Sequence, residues 1–85
     1  MILNCWIVDD EPLALSLLES YVQKTAFLRL TGKYSNALSA MRQISEEKVD
    51  LLFLDIQMPG INGMEFARTI SHRTRVIFTT AFSEY

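Results

Sequence analysis

The chain is poor in several residue types: it has one cysteine, one histidine, one tryptophan, two prolines and three glycines in 85 residues. A single thiol, Cys5, excludes an internal disulfide and a thiolate metal cluster, and its place inside an apolar run suits core filling. The lone histidine, His72, falls at the end of a predicted helix beside Arg73 and reads as a solvated cap. An excess of basic charge is also missing. Eight basic and ten acidic residues leave a net charge of −2, which gives no electrostatic case for direct binding of nucleic acid or an anionic membrane. Long apolar runs are lacking too: Ile7–Val8 and Leu51–Leu54 are far too short to span a bilayer. No basic region followed by a long apolar stretch opens the chain, so the cytoplasm is the expected location. No repeat, linker or low-complexity segment interrupts it. With 49% hydrophobic and 21% charged residues, what remains is one small globular domain with a thin core.

The apolar pattern is that of alternating strands and helices. Ile2–Val8 is short and β-rich and stops at Asp9-Asp10-Glu11-Pro12, a strand running into a helix start. Ala14, Leu17, Leu18 and Tyr21 then recur at helical spacing, which predicts a helix to about Lys24 with that stripe facing a sheet. Leu28, Leu30, Gly32 and Tyr34 alternate with Arg29, Thr31 and Lys33, as in an edge strand with one buried and one wet face. Ser35 or Asn36 can cap a second helix, with Ala37, Ala40, Met41 and Ile44 on one face, ending near Glu47-Lys48. Leu51–Leu54 is a continuous apolar run ending at Asp55, which fits a central strand covered on both faces. A loop over Met58–Gly63, a third helix from about Met64 to Ser71 and a strand Arg75–Thr79 complete a βαβαβαβ alternation. That pattern predicts an α/β fold, a doubly wound parallel sheet of the flavodoxin-like kind; the strand order 2-1-3-4 is taken by analogy with such sheets.

In a parallel sheet every strand ends on the same side, so Asp9, Asp10, Asp55 and Thr80 share one rim. Clustered carboxylates repel one another unless a cation sits among them. An all-oxygen site of this kind suits Mg²⁺, with Mn²⁺ able to substitute, and no histidine or cysteine is placed to recruit zinc. An aspartate beside such a metal is a competent nucleophile for phosphoryl transfer. The blander reading of Asp9 and Asp10 is a pair of acids favouring the first helix. Either Thr79 or Thr80 could be a plain strand residue.

Val8-Asp9-Asp10-Glu11-Pro12, Leu54-Asp55-Ile56-Gln57-Met58-Pro59, Gly63 and Thr79-Thr80-Ala81 together resemble a response-regulator receiver domain of two-component signalling, over the whole chain. The resemblance implies a phospho-accepting signalling module rather than an enzyme, at most catalysing its own phosphorylation and dephosphorylation. It implies that Asp55 accepts a phosphoryl group from a sensor histidine kinase. Asp10 and Asp55 would bind Mg²⁺, with the backbone carbonyl of Gln57 as a further ligand and Asp9 acting through water. Thr80 corresponds to the switch hydroxyl, and Met58, Pro59 and Gly63 shape the loop beside the acceptor. Ile77-Phe78-Thr79-Thr80-Ala81-Phe82-Ser83-Glu84-Tyr85 is similar to receivers of the LytR/AlgR type, which carry a LytTR DNA-binding domain. The resemblance also implies that residues 1–85 are the β1-to-β4 portion of a receiver. The family's lysine, its fifth strand and any DNA-binding effector would then lie past Tyr85, and this portion alone would hold metal weakly and phosphate poorly.

Two other classes compete. A self-association or partner-binding module would use Val76-Ile77-Phe78 as an apolar sheet edge open to a homodimer or a swapped element. A phosphohydrolase with an aspartate nucleophile would want a second acid two residues on, where this chain has Gln57.

Overall fold

Strands β1 (Leu3–Val8) and β3 (Leu51–Asp55) form the middle of the sheet because their side chains are apolar on both faces. In the computed structural model, which describes residues 1–44, 48–55, 58, 65, 66, 68, 70 and 73–79, they are flanked by β2 (Leu28–Tyr34) and β4 (Arg75–Thr79). Every pairing is parallel, as the alternation of elements predicted, and the order is β2-β1-β3-β4, the one taken by analogy with flavodoxin-like sheets.

Helix α1 (Pro12–Gln23) begins with proline in its first turn, where no backbone donor is lost. Helix α2 (Ala37–Ile44) is capped by Asn36, whose Oδ1 accepts the Ser39 N–H at 2.9 Å. Of the two caps open in the sequence, Asn36 is the one used. The predicted end of α2 near Glu47 lies outside the described residues. Of the third helix, predicted from about Met64 to Ser71, the described residues Glu65, Phe66 and Arg68 are helical and Ile70 lies in a bend.

Two cores lie on opposite faces of the sheet. Trp6, Val8, Leu52 and Leu54 pack with Ala37 and Ala40 of α2, and with Met58 and Phe66. Cys5 and Ile7 pack with Val22 of α1, joined by Leu15, Leu18, Leu51 and Phe53. The stripe of α1 that meets the sheet is therefore Leu15, Leu18 and Val22. Leu17 and Tyr21, predicted to face inward, are more than half exposed. Both stripes are apolar and both have helical spacing, so periodicity alone does not choose between them.

Strand β2 alternates as expected, but its partly buried residues do not share one face. Cys5 pairs with Leu30 and Trp6 with Gly32, so the register slips by one residue at Thr31. A slip of one residue turns the series over. Leu28 and Leu30 pack on the α1 side, and Tyr34 packs on the α2 side, where its ring lies 4.7 Å from that of Trp6. Lys33 is thereby carried to the α1 side, where its Nζ meets Glu19 Oε1 at 2.8 Å.

The amino-terminal edge of the sheet is tied by polar contacts. Asp50 Oδ2 accepts the Asn4 N–H at 2.8 Å, the Asp50 carbonyl accepts the Arg75 N–H at 3.0 Å, and Thr74 Oγ1 donates to the Val49 carbonyl at 2.6 Å. These contacts fix the register of β1, β3 and β4 from below. The opposite rim carries the acids.

Candidate functional site

Register places the acids. Val8 is the partner of Leu54, so Asp9 and Asp55, each one residue further along, reach the same level of adjacent strands. Asp55 in turn is the partner of Thr79 on β4. Parallel neighbours point to the same face, so the side chains of Asp9, Asp55 and Thr79 belong to the face that carries Ile7 and Phe53.

Carboxylate oxygens of Asp9, Asp10 and Asp55 lie within 4.8 Å of one another. Asp9 and Asp55 are nearly enclosed, at 4% and 6% exposure, while Asp10 is exposed. The Asp9 backbone N–H continues the β2 ladder by donating to the Tyr34 carbonyl at 3.1 Å, and Asp9 Oδ1 accepts the Glu11 N–H at 2.9 Å. Glu11 is the N-cap residue of α1 and offers no side-chain cap of its own. The helix-favouring role of Asp9 and its place in the acidic cluster therefore coexist, because one carboxylate has oxygens enough for both.

Burial pushes the Asp9 carboxyl above its ordinary value. The Glu11 N–H works against that shift, and the adjoining Asp55 and Asp10 carboxylates add to it, as does a hydrogen bond with Asp55. The donor set is oxygen only, and its negative charge is crowded. Such a set fits a hard divalent cation such as Mg²⁺ or Mn²⁺.

Met58 is buried in the core on the α2 side, against the cluster that holds Leu54 and Phe66. Gln57, Pro59, Gly63 and Thr80, also singled out in the sequence, lie outside the described residues. Thr79 is one of the two threonines for which a plain strand role is open in the sequence, and it lies in β4. Its hydroxyl is buried with no hydrogen-bond partner, beside Asp55 in register. No sequence signal separates that hydroxyl from the β-favouring threonines of any strand; only register and burial do.

Residues 5–85 match the response regulator receiver domain family, and the chain belongs to that family. The transcriptional regulatory protein BtsR of Escherichia coli is 42% identical over 81 residues, which cover 93% of this chain and 34% of that protein. A response regulatory protein of Shewanella oneidensis is 41% identical over 85 residues, 98% of this chain and 36% of the relative. The chain thus spans about a third of the length of these curated relatives. Among solved structures, the response regulator domain of Thermotoga maritima CheB superposes with a TM-score of 0.84 at 27% identity, covering 94% of this chain and 61% of that one. The isolated receiver domain of RcsB from Salmonella enterica shares the fold, with a TM-score of 0.85 at 19% identity over 94% of this chain and 62% of that one. No described helix is long and apolar enough to cross a membrane.

Proposed function

We propose that this chain is the phospho-accepting portion of a two-component response regulator, with Asp55 taking the phosphoryl group from a sensor histidine kinase. The observation that carries the reading is the enclosed Asp55 carboxylate meeting Asp9 and Asp10 within 4.8 Å at the sheet's carboxyl-terminal rim, in a chain of the receiver family.

Asp10 and Asp55 would hold Mg²⁺, or Mn²⁺ in its place, with Asp9 acting through water and the Gln57 carbonyl as a further ligand by resemblance. When bound, the ion supplies positive charge that offsets the carboxylates and the oxygens of the incoming phosphoryl group. An Asp55 oxygen attacks phosphorus in line. The bond from phosphorus to the donor's nitrogen or oxygen breaks, its electron pair leaves with the donor, and an acyl phosphate remains on Asp55. Asp9 keeps the start of α1 in place through the Glu11 N–H while its charge adds to the cation site. Thr80 serves as the switch hydroxyl, and Met58, Pro59 and Gly63 shape the adjoining loop.

The likeness to BtsR supports a transcriptional output, and the closing Thr-Thr-Ala-Phe-Ser-Glu-Tyr wording supports a LytR/AlgR-type regulator. In this reading residues 1–85 supply the β1-to-β4 part of the receiver. An effector elsewhere in the full-length protein contacts DNA, and the whole acts in the cytoplasm. Acetyl phosphate or phosphoramidate with Mg²⁺ should add one phosphate to the full-length protein, seen by intact mass, and none to Asp55→Asn. An unlabelled wild type overturns the proposal.

A second reading rests on β4. It is the last strand of the described sheet, with Ile77 45% and Phe78 39% exposed, and self-association through that edge would cover them. Light scattering on the 85-residue chain tests this: a monomer at high concentration removes it.

A further inference from the structure

We infer that the solvent face of α1 is a self-pairing surface, on which Leu13, Leu17 and Tyr21 of one copy meet the same residues of a second copy with the two helices antiparallel. This surface is distinct from the β4 edge, and the inference does not depend on the role of Asp55.

The fold leaves an apolar helix face uncovered. Leu15, Leu18 and Val22 already seat α1 on the sheet, yet Leu13, Leu17 and Tyr21, at i, i+4 and i+8, are all more than half exposed. The outward face of a surface helix ordinarily carries charge. Glu19 is the one charged residue between Pro12 and Gln23, and it is paired with Lys33 of β2. The outward stripe of α1 is therefore three large apolar side chains bordered by Ala14 on one side and Ser20 on the other.

The order of residues along the stripe selects the occupant. A two-fold pairing requires that if one residue meets a second, the second meets the first. With the axis at Leu17, Leu13 and Tyr21 stand four residues to either side and meet each other. Ala14 and Ser20 stand three residues to either side, and their small side chains let the helices approach. The ends are complementary as well. Asp10 and Glu11 precede α1 and Lys24 follows it, all three exposed. Antiparallel pairing sets Lys24 of each copy at the acidic end of the other and opposes the two helix dipoles, whereas parallel pairing would set acids beside acids. A helix that matches this stripe must be apolar in the middle with its end charges in reverse order, which is what the same helix supplies when it runs the other way. A 12-residue helix is about 18 Å long and about 10 Å across, so the paired faces cover less than the roughly 800 Å² per partner of a stable interface. The pairing is accordingly weak and forms at high protein concentration.

The test is cysteine cross-linking of the full-length protein under mild oxidation, read on non-reducing gels. Cys5 is buried and does not compete. Leu17→Cys, at the axis, should cross-link to itself. Leu13→Cys and Tyr21→Cys should each cross-link poorly alone, because like positions lie about 12 Å apart along the axes, and well when the two variants are mixed. Leu38→Cys on α2, also more than half exposed, sets the level due to random collision. Sedimentation velocity at high concentration should show a lower average mass for Leu17→Glu than for wild type, and no change for Leu38→Glu. Cross-linking of Leu17→Cys at the Leu38→Cys level overturns the inference. So does self-linking of Leu13→Cys as fast as the mixture, or an unchanged mass for Leu17→Glu. A monomeric wild type whose Leu17→Glu variant accepts phosphate normally from acetyl phosphate but slowly from a donor protein overturns it too, and assigns the stripe to that donor.

Discussion

The Asp9 carboxyl is enclosed, accepts the Glu11 N–H, and faces Asp55 and Asp10, and burial above all raises its titration from the ordinary carboxylate range. An acid whose folded value lies above its unfolded one binds protons more readily in the fold. Its favourable contribution is therefore present at low pH and is lost as pH rises through the folded value. In metal-free buffer at neutral pH the Asp9 charge opposes folding. Asp9→Asn keeps an oxygen for the Glu11 N–H and removes that charge, so its thermal midpoint in EDTA should exceed the wild type's at pH 7. The gap should close as pH is lowered through the Asp9 titration, as calorimetric scans across that range would show. Gly32 is constrained by contact rather than charge. A Cβ there would lie 2.6 Å from Trp6 Nε1 and 2.7 Å from Cδ1, so the indole or the bulged strand must move. Gly32→Ala should destabilise the chain by about 1–3 kcal/mol, as overpacking of a tight core does, and urea unfolding followed by Trp6 fluorescence would measure it.

At the scale of elements, the strands were legible because their apolar runs are short, β-rich and bounded by turn-forming or acidic residues, as at Val8-Asp9 and Leu54-Asp55. Which way α1 faces was not legible. Leu13, Leu17 and Tyr21 repeat at i, i+4, i+8 and Leu15, Leu18 and Val22 at i, i+3, i+7, and only docking on the sheet separates the two series. The slip at Thr31 was hidden for a similar reason: alternation in β2 persists through the bulge while the face it refers to changes. The assignment of faces on α1 has a direct consequence. Val22→Ala should cost about 1.5–3 kcal/mol through lost burial and a cavity, while Leu17→Ala should change stability by less than about 0.5 kcal/mol. Chemical denaturation of the two variants decides it, and equal losses would mean that α1 is turned relative to the sheet. The acid pair and Asp55 were readable from strand ends alone; Thr79 was not, because threonine in a strand needs no special cause.

For the whole molecule, the two ends of the sheet divide the work. The lower edge is fixed by Asp50, Asn4 and Thr74, whose polar groups find backbone partners, so the strands cannot slide past one another without breaking them. The upper rim crowds like charges together, which makes ionising the site costly, and a bound cation would offset that cost. Stability of the whole chain should therefore depend on a divalent ion, although the ion would touch only a few residues. A ligand that binds the folded state alone, at ten times its dissociation constant, adds about 1.4 kcal/mol. In a domain of this size that corresponds to a rise of roughly 6–11 °C in thermal midpoint. Mg²⁺ or Mn²⁺ should produce such a rise, EDTA should reverse it, and Ca²⁺, which prefers more ligands at longer range, should produce less. The gain should shrink in Asp55→Asn and in Asp9→Asn, even though the latter is the more stable protein without metal. A monovalent salt at matched ionic strength separates the two causes: general screening would give the same rise with either salt, whereas an ion held by these carboxylates gives a rise that the monovalent salt does not match and that fades as they are neutralised one by one.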